Sequence, residues 1–346
     1  MDSEILFSRA GGVGRVLLNR PKALNALTLE MSHALEDQLR GWAKDDGVRV
    51  VLVRAAGERA FSAGGDIRRL YEAGKSGSDY PYRFWADEYR LNALIKHYPK
   101  PYIALIDGIA MGGGVGISVH GSHRIVTEHA LFAMPETGIG LFPDVGGSYF
   151  LPRCPGRIGL YLGLTGARLK AADMLHAGIA THYVPRARLD ALEQALAADG
   201  ADVDEVLAAF AEDPGPAPLA QERAEIDRLF IGESLAAIVS ALTADAGPFA
   251  RRQAEILATK SPTALHLTFR QLREGAGLAL DDCLRMEWRM ASRVPEELPD
   301  FYEGVRAAVI DKDNKPRWAP ARLEDVDPAV LDRFFAPSPH GELALY

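Results

Sequence analysis

The chain has 346 residues, enough for one large domain or two ordinary ones around a sizeable core, and its 48% hydrophobic and 25% charged residues exclude disorder as the dominant state. A net charge of −8, from 39 basic and 47 acidic residues, excludes generic nucleic-acid binding, which needs a basic footprint. Two distant cysteines, Cys154 and Cys283, allow no disulfide framework or CxxC pair, as in a reducing cytosol.

The opening MDSEILFSRAGGVGRV lacks the basic and apolar regions of a secretory signal and the Arg- and Ser-rich pattern of a transit sequence. Arg15–Asn19, ending at Arg20-Pro21, reads as a short buried strand. Thr28 is a candidate N-cap for a helix running to about Lys44, with Met31, Leu35, Leu39 and Trp42 on one face. Val48–Val53, Tyr102–Ile106 and His123–Thr127 read as further strands, and a helix is expected from about Arg83 to His97, closed by Pro99. This alternation predicts an α/β fold with βαβ crossovers. No run reaches the roughly 18 apolar residues of a membrane span. The richest, Ile103 to Val119, is interrupted by Asp107 and five glycines. A soluble cytoplasmic protein, with neither a membrane nor a nucleic acid as partner, is expected.

The texture changes near residue 185. Residues 1–185 are rich in glycine and β-branched runs, whereas 186–346 are rich in Ala, Leu, Arg and Glu. Pro214–Pro218 reads as a linker, followed by helical stretches at Leu219–Thr259 and Pro262–Arg293.

Several familiar motifs fail. Gly74-Lys75-Ser76 lacks the earlier glycine of a phosphate-binding loop, where Arg69 stands. Glycines 112, 113, 114 and 116 do not complete a dinucleotide fingerprint, because the last position is Ile117. Gly116-Ile117-Ser118-Val119-His120 misses the final glycine of a nucleophile elbow. His120 and His123 have no further ligands to complete a metal site.

Two glycine-rich stretches remain, Ala60–Ile67 and Ile106–Gly116, each following a strand and preceding a helix. Amides at such helix starts are free to bind an anion, and two of them converging on one point would make an oxyanion hole. A third stretch, Met134–Gly147, places Glu136 and Asp144 eight residues apart among Gly, Pro, Ile, Leu, Phe and Val. In an apolar pocket such acids gain proton affinity, which suits acid–base work.

Together with Asn19-Arg20-Pro21-Lys22-Ala23-Leu24-Asn25-Ala26-Leu27, Phe61–Asp66, Pro135-Glu136 and Thr165-Gly166-Ala167, these stretches resemble the crotonase (enoyl-CoA hydratase/isomerase) superfamily, in order and spacing, over about residues 5–185. The resemblance implies a crotonase-like spiral of ββα units over 1–185 that binds an acyl-CoA. Residues 186–346 would form a mainly helical C-terminal region that packs on the core and completes the site. It implies oxyanion amides at Gly65 and Gly113, and contacts to the CoA portion of the substrate from Ala23, Leu24, Ala63 and Asp66. No metal or separate cofactor is needed, since coenzyme A is part of the substrate, and trimers or hexamers are expected.

The departures matter more. Hydratases carry an acid two residues after the glycine run, and Gly116 stands there. Asp144 stands where hydratases have a small or apolar residue. Met134–Gly147, Tyr149–Pro152, Glu88-Tyr89, Phe301–Ala307 and Asp311–Trp318 instead resemble the 3-hydroxyisobutyryl-CoA hydrolase branch, which acts in valine catabolism. That implies thioester hydrolysis. Glu136 would be the nucleophile or the general base, Asp144 a proton-transfer or substrate-hydroxyl group, and Glu88 a binder of the acyl hydroxyl. The alternatives are an enoyl-CoA hydratase or isomerase using Glu136 alone, and an acyl-CoA-binding member without turnover.

Overall fold

The computed structural model describes residues 3–345. Strands β1 (Ile5–Ala10) and β2 (Val13–Leu18) form an antiparallel hairpin around Gly11-Gly12, pairing Ile5 with Leu18 and Ala10 with Val13. Gly11 takes φ 54°, the left-handed conformation that a two-residue hairpin turn requires. Strands β3 (Val50–Ala55), β4 (Ala60–Ser62), β5 (Tyr102–Ile106), β6 (Ile109–Met111), β7 (His123–Val126), β8 (Leu131–Ala133) and β9 (His182–Tyr183) follow. The main sheet has the order β1-β2-β3-β5-β7-β9 and is parallel from β2 onward. A small second sheet has the order β4-β6-β8. Parallel strands are covered on both faces, which is why β5 is buried at every residue.

Helix α1 (Leu29–Ala43) begins where Thr28 Oγ1 accepts the amide of Met31, and it sets Trp42 edge-on to Phe7 of β1. On one face of the main sheet, Val13, Val50, Leu52, Ile103, Leu105 and Ile125 pack with Val184, which follows β9, and with Leu189, Leu192, Leu196 and Leu207 from the later helices Leu189–Ala197 and Val203–Phe210. The described chain falls into two compact units. The first comprises the residues up to Gly65, Arg90–Phe132 and Leu169–Pro218. It holds the main sheet.

The second unit comprises Asp66–Tyr89, Ala133–Arg168 and the chain from Leu219 onward. It is mainly helical and includes α2 (Ile67–Lys75) and the first part of α3 (Tyr80–Lys96). Phe301 meets Trp85 of α3 edge-on, and Phe230 meets Tyr161 in the same way.

Sequence and structure differ mainly at ends and breaks. Helix α3 starts at Tyr80 rather than Arg83. The stretch 219–259 is three helices, Pro218–Leu229, Leu235–Ala244 and Pro248–Ala258, because Gly232 and Gly247-Pro248 interrupt it. The stretch from Pro262 divides into Pro262–Gly275 and Leu280–Ala291 around Gly275 and Gly277. Strands β1, β4, β6, β8 and β9 were not expected. The last four have only two or three residues each and carry no periodic signal.

Candidate active site

In the first unit, β4 and β6 lead into glycine-rich turns that lie side by side. Gly64 has φ 110°, and a Cβ there would sit 3.5 Å from the amide nitrogen of Gly113 and 3.2 Å from Met111 O. Gly113 opens helix α4 (Gly113–Val119), and its amide is bonded to no described residue. At Gly114 a Cβ would overlap the carbonyl oxygen of Ser62, so only glycine permits this approach of α4 to β4. The turn bearing Gly65 is tied down where Leu27 donates to Gly64 O at 2.8 Å and Ala63 donates to Leu24 O at 3.0 Å. Ala23, Leu24, Ala63 and Gly65 are thus neighbours, as are the Gly64-Gly65 and Gly112-Gly113 turns. Leu24 and Asn25 hold positive φ, and buried Asn25 fixes them by donating to Ala56 O and Ala60 O while accepting from Arg20 N. Asp66 begins the second unit, where its Oδ1 accepts the amide of Arg69 as the N-cap of α2.

The second unit gathers the acids. Glu88 on α3, Glu136 in the short 3-10 turn Glu136–Ile139, and Asp144 are 2%, 5% and 6% exposed, so none is a solvated loop acid. Glu88 Oε1 and Glu136 Oε2 are buried without a hydrogen-bond partner. The phenol of Tyr89 donates to Asp144 Oδ2 at 2.9 Å. Burial, and then the charges of Asp144 and Glu136, hold the Glu88 carboxyl well above the usual carboxylate range. Burial and then Asp144 raise Glu136 in the same sense, opposed by a backbone amide and by Lys260. Burial pushes Asp144 up to about 6, opposed by the Tyr89 hydrogen bond and a backbone amide. Neighbouring carboxyls with different proton affinities can divide the roles of donor and acceptor.

Two groups of this cluster were not anticipated. Lys260 reaches the turn after Glu136, its Nζ lying 3.4 Å from where a Cβ on Gly138 would be. Glu287, on helix Leu280–Ala291, is fully buried and accepts the amides of Gly146 at 2.7 Å and Ser148 at 2.9 Å, and the hydroxyl of Ser148. A lone acid in an otherwise apolar helical pattern was the available signal, with Cys283, Leu284, Met286 and Trp288 around it.

Among the described residues no three His, Cys, Asp or Glu side chains are arranged to hold a metal ion, and no helix is long and apolar enough to cross a membrane. His120 is buried, while His123 pairs with Asp204 at 2.9 Å.

The enoyl-CoA hydratase/isomerase family model matches residues 13–335. Curated relatives named mitochondrial 3-hydroxyisobutyryl-CoA hydrolase include one from Danio rerio, 49% identical over 99% of this chain and 92% of its own. The Homo sapiens relative of the same name is 44% identical over 96% and 88%. A solved structure described as a carnitinyl-CoA dehydratase from Mycobacterium thermoresistibile superposes with a TM-score of 0.94 at 45% identity, covering 99% of both chains. An enoyl-CoA hydratase from Rhodobacter sphaeroides superposes at 0.92 with 41% identity, covering 99% of this chain and all of the other. By sequence and by fold, the chain belongs to the enoyl-CoA hydratase/isomerase family.

Proposed function

We propose that this protein hydrolyses a short hydroxyacyl-CoA thioester, 3-hydroxyisobutyryl-CoA, to 3-hydroxyisobutyrate and free CoA, a step of valine breakdown. The observation that carries this reading is the acid set. Glu136 and Asp144 are buried within each other's field, and buried Gly116 on α4 stands where hydratases place their other acid. Hydratases use two acids to manage water and proton across a double bond, and here one of the two is absent. The names of the curated relatives, matched over nearly their whole length, support the same reading. The names of the two solved structures support the runner-up, hydration of an enoyl-CoA with Glu136 alone.

On this reading the amides of Gly65 and Gly113 bind the thioester oxygen as negative charge develops on it. One such donor is typically worth about 3–4 kcal/mol of barrier. Ionised Glu136 either attacks the carbonyl carbon, expelling the thiolate and leaving an anhydride that water opens, or takes a proton from the water that attacks. In both routes the C–S bond breaks and the thiolate leaves with a proton as CoA. Asp144, held as an acceptor by Tyr89, takes the substrate hydroxyl or relays the proton. Glu88, whose proton affinity is raised by burial and then by its acidic neighbours, can donate to the same hydroxyl when protonated, through its unpartnered carboxyl. Ala23, Leu24, Ala63 and Asp66 line the CoA portion. No metal or separate cofactor takes part. We place the enzyme in the cytoplasm, on its two free cysteines, and as a trimer or hexamer, on the family it belongs to. Cell fractionation and light scattering test those two points.

The deciding assay measures free thiol from 3-hydroxyisobutyryl-CoA and hydration of crotonyl-CoA on the same sample. Thiol release well above hydration is expected. Robust hydration without thiol release reverses the assignment.

A further inference from the structure

We propose that Glu287 is a positioning residue for this hydrolysis: its buried carboxylate clamps the turn Pro143–Ser148 in the backbone conformation that presents Asp144. The inference rests on the hydrolase reading. Three donors meet Glu287, and all lie within four residues of Asp144. Oε2 accepts Gly146 N at 2.7 Å, while Oε1 accepts Ser148 N at 2.9 Å and Ser148 Oγ. On the other side of Asp144, Gln271 Nε2 from helix Pro262–Gly275 donates to Pro143 O. The turn is therefore held at both ends by side chains of two C-terminal helices.

What lies between the two clamps needs holding. Val145 adopts φ 51°, a left-handed conformation that is strained for a β-branched residue, and Gly146 follows at φ 84°. Such a backbone persists only where its surroundings over-determine it. An acid is a costly choice for a fully buried helix position, since an apolar residue would fill the volume without desolvating a charge. Its three donors on this one turn account for its presence. The groups that face it are Gly146, Ser148, Asp144, Tyr89 and Cys283. Glu287 itself is fully buried, and the hydrogen bonds it accepts come from the turn.

The test is steady-state hydrolysis of 3-hydroxyisobutyryl-CoA by wild type, Glu287→Gln and Ser148→Ala, each over a pH series. Glu287→Gln keeps the volume but turns one acceptor into a donor facing a donor. Its kcat should fall ~10- to 100-fold with KM within about twofold of wild type. The loss should persist across the pH series, because the defect lies in the backbone of the turn; burial pushes Glu287 up to about 8, so no charge on it is lost through the acid limb of Asp144. Ser148→Ala removes one donor of three and should lose a few-fold in kcat, with its melting temperature nearly unchanged. A cap that only stabilises the fold would lower the melting temperature and leave kcat at the wild-type value; that result in Glu287→Gln overturns the role. If Glu287→Gln does not fold, Ser148→Ala decides, and wild-type kcat in it overturns the role equally. Wild-type protein that releases no CoA strikes down the hydrolase reading and this role with it. Wild-type protein that does, while the variants match its kcat, removes the role alone.

Discussion

The phenol of Tyr89 and the carboxylate of Asp144 form a 2.9 Å hydrogen bond from which water is excluded on both sides. A buried charge-assisted bond of this kind favours the ionised acceptor by about 1.5–3 kcal/mol. It opposes the burial that pushes Asp144 up to about 6. Tyr89→Phe should therefore make Asp144 harder to ionise and move the acid limb of kcat/KM upward by about one pH unit or more. At pH 8.5 the variant should recover most of its lost activity. The check is kcat/KM from pH 5 to 9 for both proteins, and an unmoved limb would detach Tyr89 from the chemistry.

Glu136→Gln should abolish thioester turnover, by at least about a hundredfold, while CoA-ester affinity stays within a few-fold of wild type. The oxyanion donors are backbone amides, which the change leaves in place. Isothermal titration with a non-hydrolysable CoA thioether measures binding separately from turnover. Near-native kcat would take Glu136 out of the reaction.

The same substitution makes a stability prediction of definite sign. The folded-state proton affinity of Glu136 is raised, mainly by burial and then by Asp144, so wild type loses stability as pH rises through that pKa. Below the ordinary carboxylate pKa this loss is absent. The neutral amide of Glu136→Gln escapes it. Its melting temperature should exceed that of wild type at pH 8, and the gap should close toward pH 4.5. Thermal scans across that range check it, and a gap that widens toward acid contradicts the burial argument.

Asp144→Asn should discriminate between substrates. If Asp144 accepts the acyl hydroxyl, its loss should lower kcat/KM for 3-hydroxyisobutyryl-CoA roughly ten- to hundredfold more than for isobutyryl-CoA, which lacks that hydroxyl. Equal, small effects on both esters would remove the hydroxyl contact and favour the hydratase reading.

Much of this was legible along the chain, because it depends on local chemistry. Tyr102–Ile106 is a strand at the residues its apolar run marks, and Thr28 caps the helix that follows it. The glycines at 64, 113 and 114 announce backbone approaches that the β4 and α4 geometry then requires. Glu136 and Asp144 could be picked out as acids among apolar neighbours. Local pattern could not say that they are almost fully buried, nor that Glu88 shares their field. Burial and Coulomb interactions between residues dozens of positions apart exist only once the chain is packed. Glu287 shows the limit most clearly. It lies 141 residues from Gly146, and nothing in its helix indicates whose amides it will accept. Tertiary packing alone brings it to the turn beside Asp144, because a buried carboxylate is tolerable only where donors converge on it.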